Sequence, residues 1–472
     1  MHTAVKQMDY YVPSDVIYEK FSEEPMAVFL DSSLHNELGG YSIIGLHPYL
    51  VLKEMNQVLY VNGESKEETF EQYMESYLKE HAEVNETKLP LISGGIGYLT
   101  YDYGRKFEKI PSRHTATQVD IPDALFCFYE HYIIEDINDK RIYLSAKGET
   151  EASGLSLYHL EMLLEEKLTF SRRESPKAEK YEKKEHNPTG TYIARYGKEE
   201  YIQAVEDVIR YIVEGDIYVC NMTQQLRILS PKHPYEVFKY LRVHNPSPFG
   251  GFFNYDTFQI VSASPERFIR VKEGVAETRP IKGTRKRGIT EEEDNILKEE
   301  LRNSEKDKSE LLMIVDLERN DLNRVCEPGS VQVVDNFALE TYATLYHLVS
   351  TVRGKLREDV TVMELLRASF PGGSITGAPK IRAMEIIDQL EGDRRGLYTG
   401  TIGYCSLDGN CDFNIVIRTA VYQNGEYHLG VGGGITYESD TEFEYEEILQ
   451  KAKAIFEAAA VVQEKDDEYG TN

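Results

Sequence analysis

Three charged residues close to the C-terminal end, Glu444, Glu447 and Lys451, are spaced three and four apart. With roughly 100° of turn per residue they fall within about 60° of arc, on one side of a helix. They border an apolar stripe made of Tyr445, Ile448, Leu449, Ala452, Ile455 and Phe456. Two carboxylates and an amine at the edge of a buried face can hold a cation and an anion side by side. The alternative is a solvated helix surface with ordinary i,i+4 pairing. A further carboxylate, Glu310, opens the run from Ser309 to Leu322, which starts as a helix and passes into an apolar segment. Glu310 and Glu447 together would suit Mg2+, a hard ion that takes oxygen ligands and keeps waters for a substrate to share. Here the alternative is a surface Glu310, with Asp316 and Arg319 pairing locally.

Two more groups carry chemistry. Glu266 follows Pro265 at a strand end, where a carboxylate is held stiffly. Lys282 precedes Gly283 in a strand-like context. Turned inward it would be desolvated and nucleophilic; turned outward it would begin a solvated basic run with Arg285, Lys286 and Arg287. Two glycine-rich stretches, Phe370 to Lys380 and Gly430 to Gly434, offer backbone N–H groups to an anion. Neither fits a Walker loop or a dinucleotide fingerprint, and tight turns explain them equally well.

These groups need elements to position them. Tyr201, Val205, Val208, Ile209 and Ile212 recur at helical spacing until Gly215 stops the helix. Phe126 to Ala146 reads as a hairpin turning near 137–140, and Asp408-Gly409 and Asn424-Gly425 mark two more. Gly94, Gly95 and Gly97 indicate tight strand packing, and the last helix spans about 442–462. Helices interrupt runs of hairpins, which favours α+β with antiparallel sheets. The stretch 171–191 is charged, carries two prolines and reads as an exposed connection.

The chain has 472 residues, 41% of them hydrophobic, and a formal net charge of −27. That charge repels nucleic acid and anionic membranes, so neither is an expected partner. An anionic substrate would need a locally positive pocket. The five cysteines match no zinc spacing, and no opening signal or spanning stretch is present, so a reduced, cytoplasmic protein is expected.

Taken in order, several segments resemble the chorismate-utilising enzymes, the family of anthranilate synthase and aminodeoxychorismate synthase large subunits. They are SPE at 264–266, RPIKGTR at 279–285, ELLMIVDLERNDL at 310–322, FPGGSITGAPK at 370–380, RRGLYTGTIGY at 394–404, FNIVIRT at 413–419 and GGGITYESDTEFEYEEILQKAKA at 432–454. FLDSSLHNELGGYSIIG at 29–45 and GGIGYLTYDYGR at 94–105 extend the likeness into the first half. The resemblance implies an α+β fold of two interleaved subdomains, with two antiparallel sheets packed face to face and helices outside. The corresponding regions are an N-terminal one at 1–170, a linker or surface loop at 171–194 and a chorismate-binding one at 195–465.

The resemblance also implies roles. Glu310 and Glu447 would hold Mg2+, with Glu444 assisting through water or substrate. Gly432, Gly433 and Gly434, with Lys451, would receive the ring carboxylate of chorismate. Tyr398 and Arg418 would hold the enolpyruvyl carboxylate. His347 would line the pocket, unless it is a buried structural histidine. Glu266 would be the general acid for the departing ring hydroxyl. Lysine at 282 resembles the aminodeoxychorismate branch and implies covalent catalysis. Anthranilate synthases, the alternative, usually carry alanine there and release pyruvate. Relatives that add water place a lysine where this chain has Val219. Leu30 to Ser33 (LDSS) and Asn245 to Gly250 (NPSPFG) stand where feedback-inhibited relatives resemble LLES and NPSPYM at a tryptophan site; the departure speaks against tryptophan inhibition and leaves Asp31 and Ser32 as candidates for an effector site or for a small packed polar cluster. No cysteine sits in the G-x-C-x-G setting of a glutaminase, so ammonia is expected from a separate glutamine amidotransferase subunit.

Overall fold

The computed structural model of the protein describes residues 2–34, 36, 38–108, 110, 113, 114, 117–173, 192–341 and 345–460. Two antiparallel sheets form its centre. In the first, strand Val219–Leu229 pairs Glu426–Ile435, followed by Thr419–Gln423, Phe258–Ser264, Phe249–Tyr255 and Val28–Asp31. The second runs from Gly94–Leu99 through Thr401–Ser406, Cys411–Asn414, Arg267–Lys272 and Val275–Thr278 to Leu345–Lys355. Two long strands, Tyr41–Met55 and Ala124–Asp136, belong to both sheets. Their ladder breaks register between Pro48 and Leu50, beside His47 at φ 58°. The hairpin foreseen from 126 to 146 is formed, with Arg141–Ala146 as its second arm.

Strand alternation assigns the layers. Val28, Ile43, Phe253, Ile260 and Val421 join Ile96, Tyr98, Leu125 and Ile402 in one core between the sheets. Their neighbours Phe29, Ile44, Phe252, Val261 and Ala420 face the opposite way, onto helices that include Lys198–Val213, Pro234–His244 and Thr441–Ala459. Phe126 and Phe128 face helices Phe70–Glu80, Glu305–Asn323 and Val362–Ser369 on the far side of the second sheet. The period of two along each strand thus produces helices, sheet, sheet, helices. This is the α+β arrangement expected from the sequence.

The ladders Val28–Asp31 with Phe249–Tyr255 and Gly94–Leu99 with Thr401–Ser406 cross from the first third of the chain to its second half, so the two regions interleave. Gly94 permits one such crossing: a Cβ there would lie 2.2 Å from the Cys405 carbonyl oxygen. Of the linker expected at 171–194, residues 171–173 end helix Ser153–Arg173 and 192–194 form a short strand, while 174–191 lie outside the described residues. Ser309 to Leu322 differs from expectation in being helical throughout, inside Glu305–Asn323. The reason is spacing: Leu311, Val315 and Leu322 are buried on one stripe. Among the described residues no helix is long and apolar enough to cross a membrane.

Candidate active site

Helix Thr441–Ala459 starts at Asp440, whose side chain accepts from the Phe443 N–H at 2.9 Å. Ile448, Ala452 and Ile455 bury one face against the first sheet. That fixes the helix rotation and turns Glu444, Glu447 and Lys451 toward the end of strand Glu426–Ile435. A Cβ on Gly433 would lie 3.0 Å from Glu444 Oε2, 3.7 Å from Lys451 Nζ and 3.9 Å from Glu447 Oε1. Lys451 Nζ is 2.8 Å from Glu447 Oε1 and donates to the Gly432 carbonyl at 2.8 Å. Glu444 accepts from Ser439 Oγ at 2.7 Å. Burial pushes its carboxyl above the usual range, against that hydrogen bond.

Across this space stands Glu310, in the second turn of a helix capped by Ser304. Burial raises its pKa, Lys282 opposes the shift, and Glu447 adds to it. The carboxylates of Glu310 and Glu447 therefore act on one another through space. Among the described residues no three His, Cys, Asp or Glu side chains form a metal cage. A pair of hard oxygen donors fits an ion that completes its shell with water and substrate.

Lys282 lies on strand Ile281–Lys286, not in a solvated loop. A Cβ on Gly434 would sit 3.5 Å from its Nζ and 3.8 Å from Val219 Cγ2. The amine therefore reaches the strand end that Gly433 and Gly434 form, and Val219 stands in the same wall. The strand carries a bulge at Gly283, φ 70°, where Lys282 pairs Leu348 and Thr284 pairs His347. Thr284 Oγ1 lies 2.9 Å from His347 Nδ1. Burial, then Arg418, push the His347 imidazole down to about 4, so it is neutral at pH 7.

Glu266 is buried, and its Oε1 has no hydrogen-bond partner. Burial raises its pKa, and Lys282, Ser374, the Ile281 backbone and Arg418 oppose the shift. Arg418 holds a left-handed backbone, φ 49°, and its guanidinium makes no hydrogen bond or ion pair with any described residue. Burial lowers its pKa and Glu266 opposes that. A desolvated, unpaired guanidinium is a ready receptor for a carboxylate. Tyr398 is buried against Gly430 and followed by Thr399 at φ 59°. Beneath it Arg395 pairs Glu391 at 2.7 Å and donates to the Asn221 and Ile375 carbonyls.

The structure thus groups Gly433, Glu444, Glu447 and Lys451, links them through Glu310 and Gly434 to Lys282, and links Lys282 to Glu266, Arg418 and His347. Asp31 and Ser32 are otherwise engaged. Asp31 accepts from Arg242 Nε at 3.1 Å, burial lifts its carboxyl to about 6, and Ser32 Oγ donates to the Pro248 carbonyl. Sequence reasoning missed Ser374, whose buried hydroxyl sits beside Glu266, and the Arg395–Glu391 support. Ser374 lies within the glycine-rich stretch 370–380, where a hydroxyl among backbone N–H donors is the one signal for it.

Residues 34–457 match the chorismate binding enzyme family. The chain is 36% identical to aminodeoxychorismate synthase component 1 of Bacillus subtilis (strain 168), covering 90% of this chain and 91% of that one. It is also 36% identical to anthranilate synthase component 1 of Pseudomonas aeruginosa, covering 95% and 93%. Anthranilate synthase component I from Streptococcus pneumoniae TIGR4 superposes with a TM-score of 0.77 at 32% identity, over 90% of this chain and 93% of that one. With two sheets, an amine and a carboxylate pocket at their junction, and these relatives along nearly its whole length, the chain belongs to the chorismate-binding enzymes.

Proposed function

We propose that this chain is the large subunit of an aminodeoxychorismate synthase, which replaces the C4 hydroxyl of chorismate with an amino group. The observation that carries the reading is the Lys282 amine, directed to Gly434 and acting on both Glu266 and Glu310. Glu310 and Glu447 would hold Mg2+, with Glu444 reaching it through water or substrate; when bound, the ion neutralises the ring carboxylate. Gly433, Gly434 and Lys451 receive that carboxylate, and Arg418 with Tyr398 receives the enolpyruvyl one.

Lys282 then adds to C2 as the C4–O bond breaks, and Glu266 gives its proton to the departing hydroxyl, which leaves as water. Ammonia adds to C4 as the C2–N bond to Lys282 breaks. The new ammonium returns a proton to Glu266, and the lysine is restored as a free amine. Ammonia would come from a glutamine amidotransferase subunit. The test is to supply chorismate, Mg2+ and ammonium and identify the product by mass. Aminodeoxychorismate without pyruvate is expected; fluorescent anthranilate together with pyruvate refutes the reading.

A further inference from the structure

The proposed reaction seats two carboxylates of one substrate at two places, and a buried ion pair joins the walls behind them. Arg395 and Glu391 are both buried. A guanidinium has five N–H groups to give, and the surroundings of Arg395 take all of them. Nε donates to Glu391 Oε2 at 2.8 Å, and Nη2 to Glu391 Oε1 at 2.7 Å and to the Asn221 carbonyl at 2.6 Å. Nη1 donates to the Ile375 carbonyl at 2.8 Å and to Thr399 Oγ1 at 3.3 Å. With its donors spent in this way, Arg395 has none left for a substrate carboxylate. It is a junction between elements rather than a receptor.

Its contacts lead to both seats. On the ring-carboxylate side, Glu391 Oε1 accepts from the Thr223 N–H at 2.9 Å and from Thr223 Oγ1 at 2.8 Å. Asn221 and Thr223 pair Gly434 and Gly432 across the ladder, on either side of Gly433. The fit is close, because a Cβ on Gly432 would lie 2.6 Å from Thr223 Cγ2. Asn221 is fixed again by its N–H, which donates to the Thr376 carbonyl at 2.8 Å, and by Nδ2, which donates at 3.1 Å to the same Ile375 carbonyl that Arg395 binds. On the enolpyruvyl side, Thr399 Oγ1 accepts from Arg395 and donates to the Tyr398 carbonyl at 2.6 Å. Thr399 stands at φ 59°, a conformation that a β-branched residue adopts only where its surroundings impose it. Arg395 is one of those surroundings, and the Val416 carbonyl, which accepts from the Thr399 N–H at 2.8 Å, is another.

We propose that Arg395 and Glu391 are positioning residues that set the span between the two carboxylate seats, so that the dianionic substrate meets a pocket already spaced for it. A buried, fully satisfied ion pair holds its partners in one arrangement, because any other leaves charge or donors unpaired in a low-dielectric site. Here those partners are the strand behind Gly432 and Gly434, the turn at Ile375 and the backbone of Tyr398. With a link cut, the pocket spends part of its time at other spans, and apparent affinity falls by the fraction that remains competent. The inference rests on the two carboxylate seats of the proposed reaction. It does not depend on which amine product forms.

The test is the steady-state kinetics of chorismate consumption with Mg2+ and ammonium in Thr223→Val, Thr399→Val, the double variant and Thr399→Ser. Valine keeps the volume and the branch at Cβ, removes only the hydroxyl, and leaves the ion pair itself in place for folding. Each valine is expected to raise KM for chorismate by about tenfold, the scale of one buried hydrogen bond to a charged group, with kcat within about threefold. Thr399→Ser should bring KM back to within about twofold of the wild type. Both links act through one ion pair, so the double variant should fall short of the roughly hundredfold rise of independent sites. A loss of folded enzyme would lower kcat and leave KM alone. Unchanged KM in the valine variants, a loss confined to kcat, a serine no better than valine, or a full hundredfold rise in the double variant overturns the proposal. Gly434→Ala, run alongside, tests the seat itself. A KM that rises there but not in the valine variants removes the clamp alone, whereas a KM unchanged there removes the carboxylate seat on which the clamp depends.

Discussion

Replacing Glu318 by glutamine should stabilise the protein, and by an amount that grows with pH. In the folded chain burial lifts Glu318 to about 8 from an ordinary 4.5. A group with a raised folded pKa contributes stability that is complete below its unfolded value and lost as pH climbs through the folded one. The window is therefore about pH 4.5 to 8. Each pH unit across it is worth about 1.4 kcal/mol, so the wild type gives up about 5 kcal/mol that the variant keeps. Glu266 and Asp321 share the same field and relax when Glu318 is neutral, which makes that figure a ceiling. Unfolding entropy near the midpoint is about 1 kcal/mol/K for a chain this long. The variant should accordingly melt about 5 °C above the wild type at pH 8.5, with the gap closing toward zero at pH 5. His131 and His347, both pushed down to about 4, titrate equally in the two proteins and cancel in the difference. Calorimetry or fluorescence-monitored melting at four pH values measures it. A gap that is constant with pH, or a variant that melts lower at pH 8.5, would refute a buried neutral Glu318.

Lys282→Ala should lower aminodeoxychorismate formation by at least about 10²-fold, the scale of losing a group that acts in the transition state, while chorismate still binds in a calorimetric titration. Unchanged turnover would remove the covalent route. Glu447→Gln should weaken Mg2+ binding, titrated calorimetrically in the presence of chorismate, by about tenfold or more; an unaltered midpoint would contradict the ligand assignment. Gly434→Ala should leave the melting temperature unchanged, because the added Cβ meets Lys282 Nζ at 3.5 Å and Val219 at 3.8 Å, both ordinary contacts. It should nonetheless raise KM for chorismate by roughly tenfold, since the methyl takes space meant for the ring carboxylate. Equal KM values would show that Gly434 does not face the substrate.

Local periodicity made part of this arrangement legible. The shared face of Glu444, Glu447 and Lys451 follows from helical turn alone, and the hairpin at Asn424-Gly425 from turn chemistry, with φ values of 53° and 85°. Glu318 was legible too, as an acidic residue in the apolar register of its own helix, but reading it required treating 309–322 as one helix from end to end. Ser374 and Arg395 were not legible, because their roles come from contacts with strands distant in the sequence. Lys282 lies between these cases. Its own identity cannot say whether it points inward. Its neighbour can: Gly283 adopts φ 70°, and a Cβ there would meet Leu301 Cδ1 at 2.7 Å and the Asp307 side chain at 2.8 Å. Only glycine makes that bulge, and the bulge reopens the register so that Lys282 and Thr284 meet consecutive residues, Leu348 and His347, of the opposite strand. The aim of the amine is therefore set by the residue beside it, and a lysine at 282 without glycine at 283 would not make the same site.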